Sequence, residues 1–286
     1  MIISPGCATP PPAAELTRAR RSGIWRPLLG PCGGVRQAHG VIPRQRSGQR
    51  PRNDPAQYDD LAGQWWEPRG AFAMLHWLAT ARAALVPPAT RPGAVLLDVA
   101  CGGGLLAPRL NGTGYAHVGI DMSASAVRVA REHGLRYALR ADANELPFGD
   151  EVADVVAAGE ILEHVTDLPA VVGECCRVLR PGGTLIIDTI ADTWLARVLA
   201  ISVAERLPGG APRNLHDPAL FVDRTALVAE CARHGVPLRL RGLRPDVPDA
   251  LRWLARLRAD VRMVPSRLTA VLFQGVGTKN LPGERG

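Results

Sequence analysis

The chain has 286 residues, 47% of them apolar, and a formal net charge of +7. That is enough for one large α/β domain with appendages, and no apolar run approaches the roughly 18 residues that a membrane span needs. Residues 1–53 carry nine Arg and one acid, Glu15, a net +8, so the remainder is near neutral at −1 and offers no basic face for nucleic acid.

Residues 1–53 are rich in Pro, Gly and Arg without periodicity and read as a disordered basic tail. They contain no apolar core of a secretory signal. Their Arg-rich, acid-poor composition fits a mitochondrial transit peptide, although the prolines and glycines spoil an amphipathic helix; a start site set too far upstream fits equally. The six cysteines show no C-x-x-C or zinc-finger spacing, as expected of reduced thiols in a cytoplasmic protein. Order is expected from Asn53-Asp54-Pro55, with Asp54 capping a helix and Pro55 at its first position. Two helices follow, spanning Trp65-Trp66 and then Phe72, Leu75-His76, Leu78 and Arg82. The Trp pair suits either core or a lid over a ligand.

From Val95 strands and helices alternate. Strands are predicted at Val95–Val99, His117–Ile120, Leu135–Arg140, Val152–Ala157 and Thr184–Thr189. Helical segments lie at Leu105–Leu110, Ser123–Glu132 and Pro169–Leu179, with a shorter link at Ala143–Leu146. Continuous Val, Leu and Ile runs mark strands covered on both faces. The expected fold is therefore α/β, a doubly wound and mostly parallel sheet. Beyond it come a helix at Thr193–Leu207, a surface helix at Phe221–Gly235, an alternating strand at Leu238–Leu243, a basic amphipathic helix at Pro248–Met263 and a last strand at Thr269–Gly275. The domain is expected to span 54–280, with 193–222 and 244–266 as lid or substrate insertions and 281–286 as a frayed tail. The helices at Thr193–Leu207 and Pro248–Met263 either pack as a lid or rest on a membrane surface.

The stretch Leu96-Leu97-Asp98-Val99-Ala100-Cys101-Gly102-Gly103-Gly104 reads as a buried strand breaking into a tight turn. Glycines without Cβ let a ligand approach the backbone, at the strand end where open α/β sheets bind ligands. Asp121 closes the second strand 23 residues after Asp98 and can accept both ribose hydroxyls of an adenosyl ligand. Asp142-Ala143 follows the third strand, where an acid and a small residue can meet an adenine edge. Asp98 beside the turn would repel a pyrophosphate, and no Lys or Arg in the turn offsets it. It can instead hold a cationic amino group or order the turn. The pattern suits a zwitterionic, phosphate-free cofactor over NAD.

With these marks the chain resembles class I S-adenosylmethionine methyltransferases, and more narrowly the ubiquinone-biosynthesis O-methyltransferases, over about residues 53–279. The general marks are Leu97–Gly104, Gly119-Ile120-Asp121-Met122 and Leu179-Arg180-Pro181-Gly182-Gly183. The narrower ones are Trp65-Trp66, Leu75-His76, Glu160-Ile161-Leu162-Glu163-His164-Val165, and His216-Asp217 with Phe221. The resemblance implies a Rossmann-like sheet of seven strands with an antiparallel C-terminal edge strand and N-terminal lid helices. It implies that Arg82, Ala100, Asp121 and Gly159 contact the cofactor, Arg82 through the methionine carboxylate. Gly102 would line the turn, with Gly104 and Met122 completing the cofactor set. The chain departs from the family at Ala100, where a glycine is usual, at Leu78–Arg82, which keeps only the Arg, and in the basic segment Arg244–Ser266.

Glu160, Glu163 and His164 stand at i, i+3 and i+4, a spacing that faces them together on a helical turn. Two carboxylates and an imidazole can bind a divalent cation, magnesium or zinc, with open positions for a catechol. The same residues equally suit a general base and its positioning groups, or a capped loop. The expected activity is methyl transfer from S-adenosylmethionine to a hydroxyl of a small aromatic, such as a polyprenylated catechol or quinol precursor, in the cytoplasm with or without peripheral membrane contact. The alternatives are an NAD-dependent oxidoreductase and a non-catalytic adenosylmethionine-binding homologue.

Overall fold

The computed structural model describes residues 50–207 and 210–283. The tail expected over 1–53 thus lies largely outside the described residues, as do 284–286. Its last four residues do not belong to a tail. Arg50 pairs with Asp54 at 3.0 Å and Asp60 at 2.5 Å, and Arg52 donates to the His216 carbonyl at 2.8 Å.

The sheet has eight strands in the order β3-β2-β1-β4-β5-β8-β6-β7. β1 (Val95–Val99), β2 (Ala116–Asp121), β3 (Tyr137–Arg140), β4 (Ala153–Gly159) and β5 (Leu179–Ile190) pair in parallel. β8 (Leu272–Thr278) runs antiparallel to β5, β6 (Leu238–Pro245) to β8, and β7 (Met263–Ser266) to β6. The fold is the Rossmann-like α/β sheet expected, with one strand more than the seven predicted. The C-terminal strand β8 sits inside the sheet, and β7 forms the edge.

Helices cover both faces, which explains the uninterrupted apolar strands. On β1, Val95, Leu97 and Val99 pack with α4 (Leu168–Val178) and α6 (Arg224–Arg233), while Leu96 faces Leu106 and Leu110 on the opposite side. Cys175, Cys176 and Cys231 are buried on the first side as free thiols. α1 (Ala56–Asp60) starts one residue later than expected, with Pro55 rather than Asp54 at its N-cap; Asp54 Oδ1 still accepts from the Ala56 N–H at 3.0 Å. α2 (Ala73–Ala83) carries Arg82, and α3 (Ala124–Glu132) is capped by Ser123, whose Oγ accepts from Ala126 N at 3.1 Å. The link at Ala143–Leu146 is a short turn.

Two late segments depart from the reading. Thr193 caps α5 (Trp194–Arg197), but the helix widens into a π turn at Val198–Val203 and tightens to 3-10 at Ala204–Arg206. The basic helix expected to reach Met263 stops early, as α7 (Val247–Leu254). Trp253 is anchored edge-on against Trp77 at 5.0 Å, and Arg256 then turns left-handed at φ +60°. Leu257 N–H returns to the Arg252 carbonyl at 2.8 Å, a C-terminal cap that ends the helix. Asp249, buried, draws Arg258 to 3.1 Å and folds the chain back toward β7. No helix among the described residues is long and apolar enough to cross a membrane.

Candidate active site

A cavity of about 310 Å³ opens at the carboxyl ends of β1, β2, β3 and β4. Asp98, Ala100, Gly102, Asp121, Met122, Asp142, Ala143 and Gly159 line it, together with Arg82, so the structure brings together all the residues expected at the cofactor except Gly104. Gly104 lies behind the turn, where a Cβ would press on Ala130 Cα at 3.1 Å. Its absent side chain therefore serves the packing of the turn on α3.

The turn itself is more occupied than its glycines suggest. A Cβ on Gly102 would fall 2.5 Å from the Trp65 ring, and one on Gly103 2.6 Å. The bare faces of these glycines thus receive an indole. Trp65 stacks on Phe72 at 3.9 Å, is 4% exposed and also lines the cavity, so it is core and wall at once. Trp66 donates through Nε1 to the Gly103 carbonyl at 2.9 Å and stacks on His133 at 4.5 Å. Ala100 adopts φ +58°, the left-handed conformation in which a Cβ is strained.

Asp121 accepts from Gly102 N–H through Oδ2 at 2.9 Å and from Ser123 N–H through Oδ1 at 2.8 Å. It thereby ties the glycine turn to the start of α3. Burial raises its pKa and the two backbone donors oppose that rise. Asp98 is 2% exposed; its Oδ2 stands within ion-pair range of His117 Nε2, at 3.3 Å, but has no hydrogen-bond partner. A buried, unsatisfied carboxylate oxygen on a cavity wall fits a cationic ligand group. Asp142 Oδ1 accepts from Asn144 N–H at 2.9 Å, shaping the loop after β3.

Arg82 forms a fork with Asp188, Nε to Oδ1 at 2.5 Å and NH2 to Oδ2 at 2.7 Å, both side chains buried. Burial alone would lower the Arg82 pKa; Asp188 outweighs it and the net shift is upward. NH1 takes no part in the fork. Gly159 leaves room for the guanidinium, since a Cβ there would overlap it. Asp188 was not singled out from sequence. Its signal was an acid closing the apolar run Leu185–Ile187, the same sign that marked Asp98 and Asp121.

The far end of the cavity carries Glu160, His164 and His216. The helical spacing read into Glu160, Glu163 and His164 is corrected. Glu160 follows β4 with a left-handed φ of +54°, and Leu162–His164 is one 3-10 turn. The three side chains consequently do not share one face: Glu160 and Glu163 remain neighbours, and His164 turns away from them. Glu163 is fully buried behind the cavity wall, its Oε2 accepting from Thr189 Oγ1 at 2.6 Å. Burial, then the Glu163 and Asp188 charges, raise the Glu160 pKa well above the ordinary range, and burial also raises that of Glu163. Oε1 of each is buried and unpartnered.

His164 turns elsewhere. Its Nδ1 lies 2.6 Å from Asn53 Oδ1 and its Nε2 3.4 Å from the Tyr58 hydroxyl. Burial, with some repulsion from His216, holds its pKa at about 3, so the imidazole is neutral. Among the described residues no group of three His, Cys, Asp or Glu side chains converges as a metal site. Asn53 and Tyr58, both on the cavity wall, had no assigned role in the sequence reading. Leu215 and His216 bring the 193–222 segment to the cavity, whereas no residue of 244–266 lines it. The latter packs on α2 through Trp253.

Residues 97–187 match the family model described as a methyltransferase domain. Over 185 residues the chain is 36% identical to the ubiquinone biosynthesis O-methyltransferase of Thiobacillus denitrificans, covering 62% of this chain and 79% of that one. It is 35% identical over 195 residues to that of Ralstonia nicotianae, 65% and 82% covered, and 33% identical over 186 residues to the mitochondrial enzyme of Rattus norvegicus, 58% and 54% covered. In fold it is similar to an S-adenosylmethionine-dependent methyltransferase from Thermotoga maritima, with a TM-score of 0.55 at 19% identity, covering 78% of this chain and 97% of that one.

Proposed function

This chain belongs to the ubiquinone biosynthesis O-methyltransferase family, and from that premise we propose how its cavity divides between cofactor and acceptor. The protein is an S-adenosylmethionine-dependent O-methyltransferase, which sets the NAD-dependent reading aside. The cofactor lies along the ends of β1, β2 and β3. Asp98 Oδ2 takes its ammonium, Arg82 NH1 its carboxylate, Asp121 the ribose hydroxyls and Asp142-Ala143 the adenine edge. A hydroxylated aromatic, a catechol or quinol precursor bearing a polyprenyl chain, occupies the end walled by Glu160, His164 and His216. The observation that carries this reading is that one cavity holds both residue sets.

When bound, the sulfonium supplies an already activated methyl group. The chain has to hold the acceptor oxygen in line, exclude water and take one proton. His164 is assigned as the proton acceptor through Nε2. A base this weak suffices, because the acceptor oxygen becomes strongly acidic as it bonds to carbon. Glu163 acts through Glu160, its neighbouring charge adding to burial in raising the pKa of that carboxyl at the acceptor end.

The unpartnered Oε1 atoms of Glu160 and Glu163 also fit an oxygen-ligated divalent cation, which would lower the pKa of an acceptor hydroxyl. His164 does not fit such a donor set, since both its ring nitrogens face other partners. Exposed Trp194, Leu251 and Leu257 beside arginines support peripheral contact with an anionic membrane. Sedimentation with anionic and with neutral vesicles tests that contact.

The assay is incubation of the purified protein with S-adenosylmethionine and a short-chain prenylated dihydroxybenzoate, with and without magnesium and chelator. Mass spectrometry should find one added methyl on oxygen. Binding of S-adenosylmethionine without methylation of any catechol would favour the non-catalytic reading.

A further inference from the structure

The segment ahead of α1 lines the cavity through Asn53 and Pro55 and ties two loops together. Asn53 N–H donates to the Asn214 carbonyl at 3.0 Å, and Gln57 Nε2 donates to the same carbonyl at 3.0 Å. From this anchored position the Asn53 side chain makes two bonds to one residue. Its Nδ2 donates to the His164 carbonyl at 2.9 Å, and its Oδ1 lies 2.6 Å from His164 Nδ1.

These two contacts determine a proton position. A backbone carbonyl only accepts, so the amide nitrogen must be the atom beside it. The amide oxygen is then the atom beside Nδ1, and it too only accepts. Nδ1 therefore carries the proton, and Nε2 carries the lone pair in a neutral ring. Tyr58 meets that lone pair as an O–H donor at 3.4 Å, long enough to be displaced by a closer hydroxyl. His216 stacks on the ring at 5.4 Å, which restricts its tilt.

We infer that Asn53 is a positioning residue for methyl transfer, its amide bracketing His164 so that the Nε2 lone pair is presented to the acceptor hydroxyl. In the resulting step the acceptor oxygen bonds to the methyl carbon as the methyl–sulfur bond breaks, its electron pair returning to sulfur to leave a neutral thioether, and the acceptor O–H bond breaks. The proton goes to Nε2, and the other proton stays on Nδ1, hydrogen-bonded to Asn53 Oδ1, which stabilises the imidazolium that forms. The inference rests on the assignment of His164 as proton acceptor.

The backbone supplies a clean variant. Asn53 sits at φ +56°, a conformation that Gly adopts without strain and Ala does not. N53G thus deletes the bracket with little backbone penalty. The tautomer of His164 is read by long-range proton–nitrogen correlation in protein labelled with 15N-histidine, its signals identified by their loss in H164Q. The native protein should show Nδ1–H, and N53G should shift toward Nε2–H, the form usual in water. With a prenylated dihydroxybenzoate as acceptor, N53G should lower kcat about tenfold, with KM and S-adenosylmethionine affinity changed less than about twofold. N53D, which retains an acceptor at Nδ1, should keep the Nδ1–H tautomer and recover part of kcat. An unchanged tautomer in N53G overturns the inference, as does an unchanged kcat or a loss shared equally by cofactor binding. If N53G shifts the tautomer while H164Q retains native kcat, the bracket stands and the assignment of His164 as proton acceptor fails instead.

Discussion

Truncating Asp188 to Ala leaves the Arg82 guanidinium buried without its hydrogen-bonded carboxylate. The native pair is a fork of 2.5 and 2.7 Å between side chains whose residues are 1% and 8% exposed. Removing one member of such a pair costs about 3–5 kcal/mol, most of it the desolvation of the charge left behind. Arg82→Met should cost a similar amount, because Asp188 is then the unpaired charge. The double variant removes both charges, so its loss should be smaller than the sum of the singles by at least about 2 kcal/mol. Urea unfolding of the four proteins, read as midpoint and slope, measures the cycle. A second readout separates stability from binding. If NH1 holds the cofactor carboxylate, R82M also loses a charge-assisted hydrogen bond of about 1.5–3 kcal/mol, a fall of roughly 10–150-fold in S-adenosylmethionine affinity by calorimetry. D188A destabilised by less than about 1 kcal/mol, or additive singles, would refute the reasoning on the pair. Native cofactor affinity in R82M would refute the role of NH1.

Gly159→Ala places a methyl where the Arg82 guanidinium lies, so it should reproduce the loss of cofactor affinity of R82M without altering either charge; intact affinity would mean that Arg82 has another place to go. Ala100→Gly relieves a left-handed Ala of about 1–2 kcal/mol and loses about 0.5–1 kcal/mol to unfolded-chain entropy, so thermal unfolding should show a net stabilisation of up to about 1.5 kcal/mol. The Asp59 carboxylate accepts from Ser125 Oγ at 2.5 Å and Ser123 Oγ at 2.7 Å, and these hydroxyls hold its pKa below the usual range. Its contribution is therefore full above the unfolded pKa of about 3.9 and lost as pH falls through the lower folded value. The stability difference between the native protein and D59N should shrink across that acid window, a small effect because the group is exposed, and a constant difference would count against it.

The β1 strand was legible to the residue, Val95–Val99, and so were the Ser123 cap and the acids at the ends of β1 and β2. Each is a local pattern: an apolar run, a hydroxyl before a helix, a carboxylate at a strand end. Patterns of that kind were enough for the fold class, and with no Lys or Arg in the glycine turn they pointed to a phosphate-free cofactor, which the family resemblance then named. The acceptor end was not legible in the same way. Helical spacing suggested that Glu160, Glu163 and His164 face together, yet the left-handed turn at Glu160 and a single 3-10 turn keep only the two carboxyls side by side and give Glu163 and His164 further, distant neighbours. Those neighbours are Thr189, 26 residues along the chain, and Asn53 and Tyr58, 111 and 106 residues before His164. In the same way Trp253 against Trp77 cut short a helix whose amphipathic pattern ran on to Met263. A local pattern specifies which face of an element is apolar and where it can begin. Which distant side chain meets that face, and therefore which atom of His164 carries the proton, follows only when strands from across the chain have paired into one sheet.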